Sequence, residues 1–213
     1  MLASRYVYVV GGDNCVSKMF ACHGWEVIDS IKNADLVQFT GGSDVTPSLY
    51  RHTVHPTTYN NAIRDRKEML IFNLCIAYNK PMAGICRGAQ FLNVMCGGKL
   101  FQDVDNHASG NFRHECRDIK TNEVFEVTST HHQMMIPTMD AVQIGVASES
   151  TRRCLHVEDK EIVQTGAFID KEILYYPQEK CFCFQPHPEF SIGQDLARRY
   201  FKYLDEYLFE KKA

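Results

Sequence analysis

The sequence has no Cys-x-x-Cys pair, no Gly-x-Gly-x-x-Gly or Walker pattern, no basic stripe and no long apolar run. Each absence excludes a class of protein. Without closely spaced cysteine pairs, zinc ribbons and thioredoxin-like redox sites are disfavoured. Gly11-Gly12 follows a strand-like segment, but no nucleotide-binding pattern continues from it, so no nucleotide is expected. The balance of 23 basic against 26 acidic residues leaves a net charge of -3, which gives nucleic acid no electrostatic footprint. Apolar runs of a few residues fall far short of the ~20 needed to span a bilayer. Met1-Leu2-Ala3-Ser4-Arg5 lacks the basic start, apolar middle and small-residue cleavage site of a leader. These absences predict a soluble cytoplasmic protein without a membrane or nucleic-acid partner.

What remains is an ordinary globular composition, 45% hydrophobic and 23% charged over 213 residues. At roughly 150 residues per domain, this predicts a single domain over residues 1–213, with a core that needs no metal or disulfide staple. The nine cysteines are odd in number and scattered, at 15, 22, 75, 86, 96, 116, 154, 181 and 183. Most are expected to be small buried hydrophobes in a reducing compartment.

Along the first half, short apolar runs alternate with helical patterns. Tyr6 to Val10, Val27-Ile28, Leu36 to Phe39 and Met82 to Ile85 read as strands. Helices are predicted from a cap at Asp13 or Asn14 through Cys22, over 64–79 with a wide apolar stripe, and over 87–95. Residues 43–62 read as a long surface loop, a kind that is usually functional. Val124 to Val127, Val142 to Val146 and Cys181 to Phe184 alternate more, and 195–209 reads as a closing amphipathic helix. The order predicts a parallel α/β sheet with hairpin strands added later.

Chemistry concentrates at Pro81-Met82-Ala83-Gly84-Ile85-Cys86-Arg87-Gly88-Ala89-Gln90. A short apolar strand runs into Gly-x-Cys-x-Gly and a helix starts at once, the cysteine form of a strand–turn–helix nucleophile elbow. Such a turn strains the nucleophile's backbone, and the flanking glycines relieve the crowding of strand against helix. The sulfur then stands at a helix N-terminus, where the dipole favours a thiolate, and the Arg87 amide faces the position of an oxyanion. The bland alternative is a buried cysteine in a glycine-flanked turn. A thiolate nucleophile needs a base and an orienting carboxylate. His187 and Glu189, two apart in an extended, proline-bracketed turn, can face the same side and supply both.

Gly84-Ile85-Cys86-Arg87-Gly88 with Gln90, Asn93 and Gly97-Gly98, followed by His187-Pro188-Glu189, resembles the class I glutamine amidotransferase superfamily. Thr40-Gly41-Gly42-Ser43-Asp44-Val45 with Pro47 and Tyr50, Leu100-Phe101-Gln102-Asp103, and Ser129 with His131-His132-Gln133 are similar to its γ-glutamyl-γ-aminobutyrate hydrolase branch. The resemblance implies a flavodoxin-like α/β three-layer sandwich, with a mostly parallel central sheet and added antiparallel hairpin strands. It implies Cys86 as nucleophile, His187 as general base and acid, and Glu189 orienting the imidazole. The oxyanion amides would come from Arg87 and from the turn at Gly41 and Gly42. Gln90, Ser129, His131, His132 and Gln133 would line the pocket for a glutamyl head group.

The activity implied is hydrolysis of the γ-glutamyl amide bond of glutamine or a small γ-glutamyl amine, through a glutamyl thioester and without a cofactor. One rival is a glutaminase subunit that passes ammonia to a partner synthetase. The other is a non-catalytic or redox-sensing relative, against which the joint presence of His187 and Glu189 argues.

Other residues are weighed against plainer readings. His131-His132 could ligate a metal with His107, His114 and Cys116, but adjacent histidines on a strand point to opposite faces, so no metal is expected. Cys181 and Cys183 share one face of a strand with Phe182 and Phe184 on the other, which reads as two-sided core packing. Asp103, Asp105 and His107 read as a solvated loop, and Arg152-Arg153 and Lys211-Lys212 as surface charge.

Overall fold

Arg5–Val9 forms β1, and Asp13 caps α1 (Asn14–Cys22) by accepting the Val16 amide at 2.9 Å. After β2 (Trp25–Val27) and β3 (Leu36–Phe39), Asn61 caps α2 (Ala62–Ala77), accepting the amides of Ile63 and Arg64. β4 (Met82–Ile85) then leads through Cys86 into α3 (Arg87–Met95). The computed structural model describes residues 5–108, 112–191 and 194–210. Lys211-Lys212 therefore lie outside the described residues.

The second half holds more strands than its alternation predicts. They are β5 (Lys99–Phe101), β6 (Asp103–Val104), β7 (Arg113–Asp118), β8 (Val124–Thr128), β9 (Met134–Ile136), β10 (Val142–Ala147), β11 (Arg152–Val157), β12 (Lys160–Thr165), β13 (Asp170–Tyr176) and β14 (Cys181–Phe184). The main sheet runs β2-β1-β3-β4-β14-β13-β10-β7-β8. The block from β2 to β14 is parallel, and every pairing from β14 to β8 is antiparallel. Two small sheets, β12-β11-β6 and β5-β9, flank it.

Helices cover both faces, as the flavodoxin-like expectation requires. On one face α1 and α4 (Asp195–Leu204) bury Met19, Phe20, Leu196 and Tyr200 against Ala83, Ile85, Phe182 and Phe184. On the other, α2 and α3 bury Phe72, Cys75, Phe91 and Leu92 against Val37, Phe39, Cys181 and Cys183. The alternation in Cys181 to Phe184 thus feeds both layers of the core. Six cysteines are buried, while Cys15 and Cys22 are exposed and Cys96 is half-buried.

Several expectations need correction. The stripe on α2 is wider than the sheet uses, because Leu70, Leu74 and Ile76 stay exposed. Residues 43–62 are not wholly a surface loop: Pro47–Tyr50 forms a short 3₁₀ turn, and Val45, Tyr50, His52 and His55 are buried. The closing helix passes into a π turn over Asp205–Phe209. Asp103 lies on β6 and His107 is fully buried, so they are not a solvated loop. Arg153 is buried as well, paired with Asp170 and sandwiched by Phe101 and Phe168, because the flanking strands fold over it. No helix among the described residues is long and apolar enough to cross a membrane.

The elbow depends on backbone contact. A Cβ at Gly84 would stand 2.4 Å from the Gly88 carbonyl, and one at Gly88 would stand 2.5 Å from the Phe39 carbonyl oxygen. Neither obstacle is a flexible side chain, so the helix would have to lift off the sheet. Gly88→Ala should therefore destabilise the fold by about 1–3 kcal/mol, read as a lower urea midpoint at unchanged m-value. An unaltered midpoint would contradict this packing.

Candidate active site

Cys86 is the residue between β4 and α3, with φ +50° and ψ -111°. A non-glycine side chain takes such angles only when the surroundings impose them. Here the Cys86 amide donates to Phe184 on β14 at 2.9 Å, while its carbonyl accepts from Gln90 in the first turn of α3 at 3.0 Å. The residue is thus pinned by the sheet on one side and the helix on the other. It remains 8% exposed.

The neighbouring strand end brings the other two predicted residues. Beyond β14 the chain enters a 3₁₀ turn over Pro188–Ser191, rather than the extended turn that two prolines suggest. His187 and Glu189 still meet, with Nδ1 and Oε1 2.6 Å apart. The His187 amide donates to Thr128 Oγ1 at 2.6 Å, and its ring stacks on Phe190 with centroids 4.5 Å apart. With Nδ1 engaged by the carboxylate, Nε2 is the nitrogen left for the sulfur. Burial alone would lower the His187 pKa. The charge and hydrogen bond of the Cys86 sulfur, followed by those of Glu189, more than reverse this and raise it. The arrangement favours an imidazolium beside the sulfur.

The glycine turn after β3 completes the approach. A Cβ at Gly41 would fall 2.9 Å from His187 Cε1 and 3.9 Å from Cys86 Cβ, so only glycine allows histidine and cysteine to close over it. Gly42 has φ +137° and lines a cavity with Cys86. A residue that sequence reasoning missed holds this turn from behind. Arg64 on α2 donates to the carbonyls of Gly41 at 2.9 Å and Thr40 at 3.0 Å, and its Nε donates to Glu68 at 2.7 Å. In a planar trans peptide the N–H points opposite to the C=O. Fixing both carbonyls on Arg64 therefore turns the Gly41 and Gly42 amides away from it. The Arg87 side chain is buried and paired with both Asp65 and Glu68, which moors the start of α3 to α2. Burial and the neighbouring Arg64 lower its pKa to about 10, so it stays charged at neutral pH.

The cavity above Cys86 measures about 210 Å³. Of the predicted pocket residues, Gln90, His131, His132 and Gln133 line it, together with Asp44 and Tyr59. Gln90 donates to the Gln185 side chain at 3.1 Å and to the Gln133 carbonyl at 3.3 Å. His132 Nε2 lies 3.2 Å from both oxygens of Asp44, whose hydrogen bond is the chief cause of its raised pKa. Ser129 is the exception. Its hydroxyl is buried and donates to the His107 carbonyl, behind the cavity wall. A larger groove of about 850 Å³ runs between β8 and α4, but none of the predicted site residues lines it. Chemistry, not size, selects the site. Among the described residues, two groups could hold a metal, His107 with His114 and Glu172, and His55 with Cys154 and Glu161.

The pKa direction gives a test. The His187 imidazole should titrate above the ordinary value of about 6.5 and fall toward it in Cys86→Ala, which removes the leading raising cause. Glu189→Gln should lower it by less. Following the histidine ring protons by NMR against pH would check both, and an ordinary titration in the unaltered protein would contradict the pairing.

Comparison with known proteins agrees with this geometry. The family model described as Peptidase C26 matches residues 1–157. The putative glutamine amidotransferase-like protein YvdE of Lactococcus lactis subsp. lactis is 40% identical over 86 residues, 38% of this chain and 36% of that protein. The carbamoyl phosphate synthase small chain of Pasteurella multocida is 29% identical over 132 residues, 62% of this chain and 30% of that one. The chain thus matches about a third of the length of each of these relatives. A solved glutamine amidotransferase from Thermotoga maritima shares the fold, with a TM-score of 0.61 over 96% of this chain and 84% of its own, at 12% identity. The family match takes in both the glycine turn and the elbow, while His187 and Glu189 join them through the fold. The chain belongs to the Peptidase C26 family and is glutamine amidotransferase-like.

Proposed function

We propose that the protein hydrolyses the γ-glutamyl amide bond of glutamine or a small γ-glutamyl amine. The observation that carries the reading is one histidine held by Glu189 on Nδ1 and set against the Cys86 sulfur, at an elbow whose backbone has no other evident use. The Cys86 thiolate attacks the γ-carbonyl carbon, forming a C–S bond and moving the π electrons onto oxygen. The Arg87 amide and the amides of the Gly41-Gly42 turn hold that oxyanion. As the C–N bond breaks, His187 gives its proton to the departing nitrogen, so an amine or ammonia leaves and a glutamyl thioester remains. Neutral His187 then takes a proton from water, the hydroxide adds to the thioester, and glutamate and the thiolate are released.

Cavity dimensions support a small substrate. About 210 Å³ lies below the ~300–1,000 Å³ typical of drug-sized ligand sites, and suits an amino-acid head group better than a long peptide. Its polar walls, Asp44, Gln90, His132 and Gln133, suit the charged end of such a group.

A second reading draws on the likeness to a carbamoyl phosphate synthase small chain. In it the same hydrolysis delivers ammonia to a partner synthetase. Glutaminase activity that is low in the isolated chain and rises with a partner would favour this reading, and full activity alone on a γ-glutamyl amine would exclude it.

Release of glutamate should be measured on glutamine, γ-glutamyl amines and γ-glutamyl peptides, with mass spectrometry of the enzyme during turnover. Turnover with an acyl adduct on Cys86 is expected, and both should vanish in Cys86→Ala. Hydrolysis by Cys86→Ala at the parent rate would end the proposal. Arg64→Gln should free the glycine turn and lower kcat more than it raises KM. The loss should approach the ~10²–10³-fold seen when an oxyanion donor is removed outright. Unchanged kcat in a folded variant would remove Arg64 from the account.

A further inference from the structure

Behind the cavity wall, three histidines converge on one carboxylate. Glu172 on β13 is fully buried. Its Oε1 lies 3.3 Å from His114 Nε2 on β7, 3.5 Å from His107 Nδ1 and 3.7 Å from His131 Nε2. Among the described residues, no hydrogen-bond partner meets either oxygen of Glu172, either nitrogen of His114 or His131, or Nδ1 of His107. Buried polar atoms left in this state are costly, and so many in one place call for an explanation.

The spacing supplies one. N–H···O hydrogen bonds close mostly at about 2.7–3.2 Å, and the His107 and His131 separations are well beyond that. Two donors each about 2.0–2.1 Å from a tetrahedral zinc stand about 3.3–3.4 Å apart. The separations of His114 and His107 from Glu172, 3.3 and 3.5 Å, come close to that spacing. The second nitrogen of His107 strengthens the argument, since Nε2 lies 2.9 Å from Asp170 Oδ2. A neutral ring that donates Nε2–H to Asp170 presents the lone pair of Nδ1 toward Glu172. The two lone pairs repel unless a cation, a proton or a metal ion, lies between them, and 3.5 Å is wider than the ~2.7–3.2 Å over which an N–H proton closes a hydrogen bond. A carboxylate–histidine–metal relay has this pattern. Asp170 is itself fixed by Arg153 and by the Ser150 amide at 2.9 Å.

We infer that His107, His114 and Glu172 form a buried zinc site, their ligand atoms all lying within 4.8 Å of one another. Two imidazoles and one carboxylate are a nitrogen-rich set that suits zinc over calcium or magnesium. The sequence argument against a metal concerned His131 and His132 acting together, and those two do diverge, His131 toward Glu172 and His132 toward Asp44. The converging ligands come instead from separate segments that only the fold unites. Because Ser129 is tied to the His107 carbonyl, the ion would brace the 129–133 wall against β13. Its role there is structural, since all three donors are buried.

The test is zinc content of the full chain, purified from zinc-supplemented cells, by mass spectrometry of the metal. Wild type and Cys86→Ala should each retain one zinc per chain, the second variant removing the proposed catalytic thiol as the holder. Glu172→Gln and His114→Gln should lose it. Should either variant fail to fold, wild-type chain stripped with a chelator and titrated with Co²⁺ decides the matter. The expected result is a visible d–d band of low-symmetry cobalt without a thiolate charge-transfer band, and a thermal midpoint that rises as the ion binds. Wild type holding no zinc and giving no d–d band, or a charge-transfer band showing cobalt on cysteines, would overturn the inference.

Discussion

The site depends on a steric constraint: β3, β4 and α3 meet closer than any side chain allows. Gly84 and Gly88 let the first turn of α3 lie directly on the strand that precedes it and on the Phe39 carbonyl. That approach forces the residue between them into left-handed angles. A cysteine placed there presents its sulfur at the end of the parallel sheet, beside the turn that follows β3. Hydrophobic burial on both faces, with Phe182 and Phe184 on one side and Cys181 and Cys183 on the other, supplies the free energy that holds the strained residue in place.

Around this point, charges hold backbone rather than substrate. Arg64 grips two carbonyls of the glycine turn, and Arg87 ties the start of α3 to Asp65 and Glu68 on α2. Asp65 in turn accepts the Thr46 amide at 3.0 Å, so the loop carrying Asp44 is drawn into the same network. Breaking one member would leave a buried charge without a partner, which is the costly case for such pairs. The turn, the helix start and the loop are therefore tied into one hydrogen-bonded network around the cavity.

Local patterns were legible in the sequence. The limits of β3, β4, α3 and β14 follow from short apolar runs stopped by glycine, proline or polar residues, and the elbow announces itself by its two glycines. The pairing of His187 with Glu189 was also readable, although the local turn proved tighter than two prolines suggest. Long-range burial was not. β13 carries Asp170, Lys171 and Glu172 at its start, so its charge hides a strand that sits centrally in the sheet. Arg153 and His107 read as surface groups for the same reason, because partners that neutralise them come from distant segments. Arg64 left no signal, since a helical arginine reaching back to a carbonyl has no periodicity. Ser129 stands beside the cavity-lining residues His131, His132 and Gln133, but its hydroxyl turns to the His107 carbonyl, a long-range partner that composition cannot encode.

The order of strands has a consequence for synthesis. Among the described residues β14 is the last strand to leave the ribosome, yet it occupies the middle of the main sheet, between β4 and β13. Until it is made, the nascent chain carries two half-sheets, each with an open edge of the kind that invites stray pairing. A chain stalled or cut before residue 181 thus displays unpaired backbone N–H and C=O groups along two strand edges. It also carries Cys86 without His187, so the two first meet once β14 is in place.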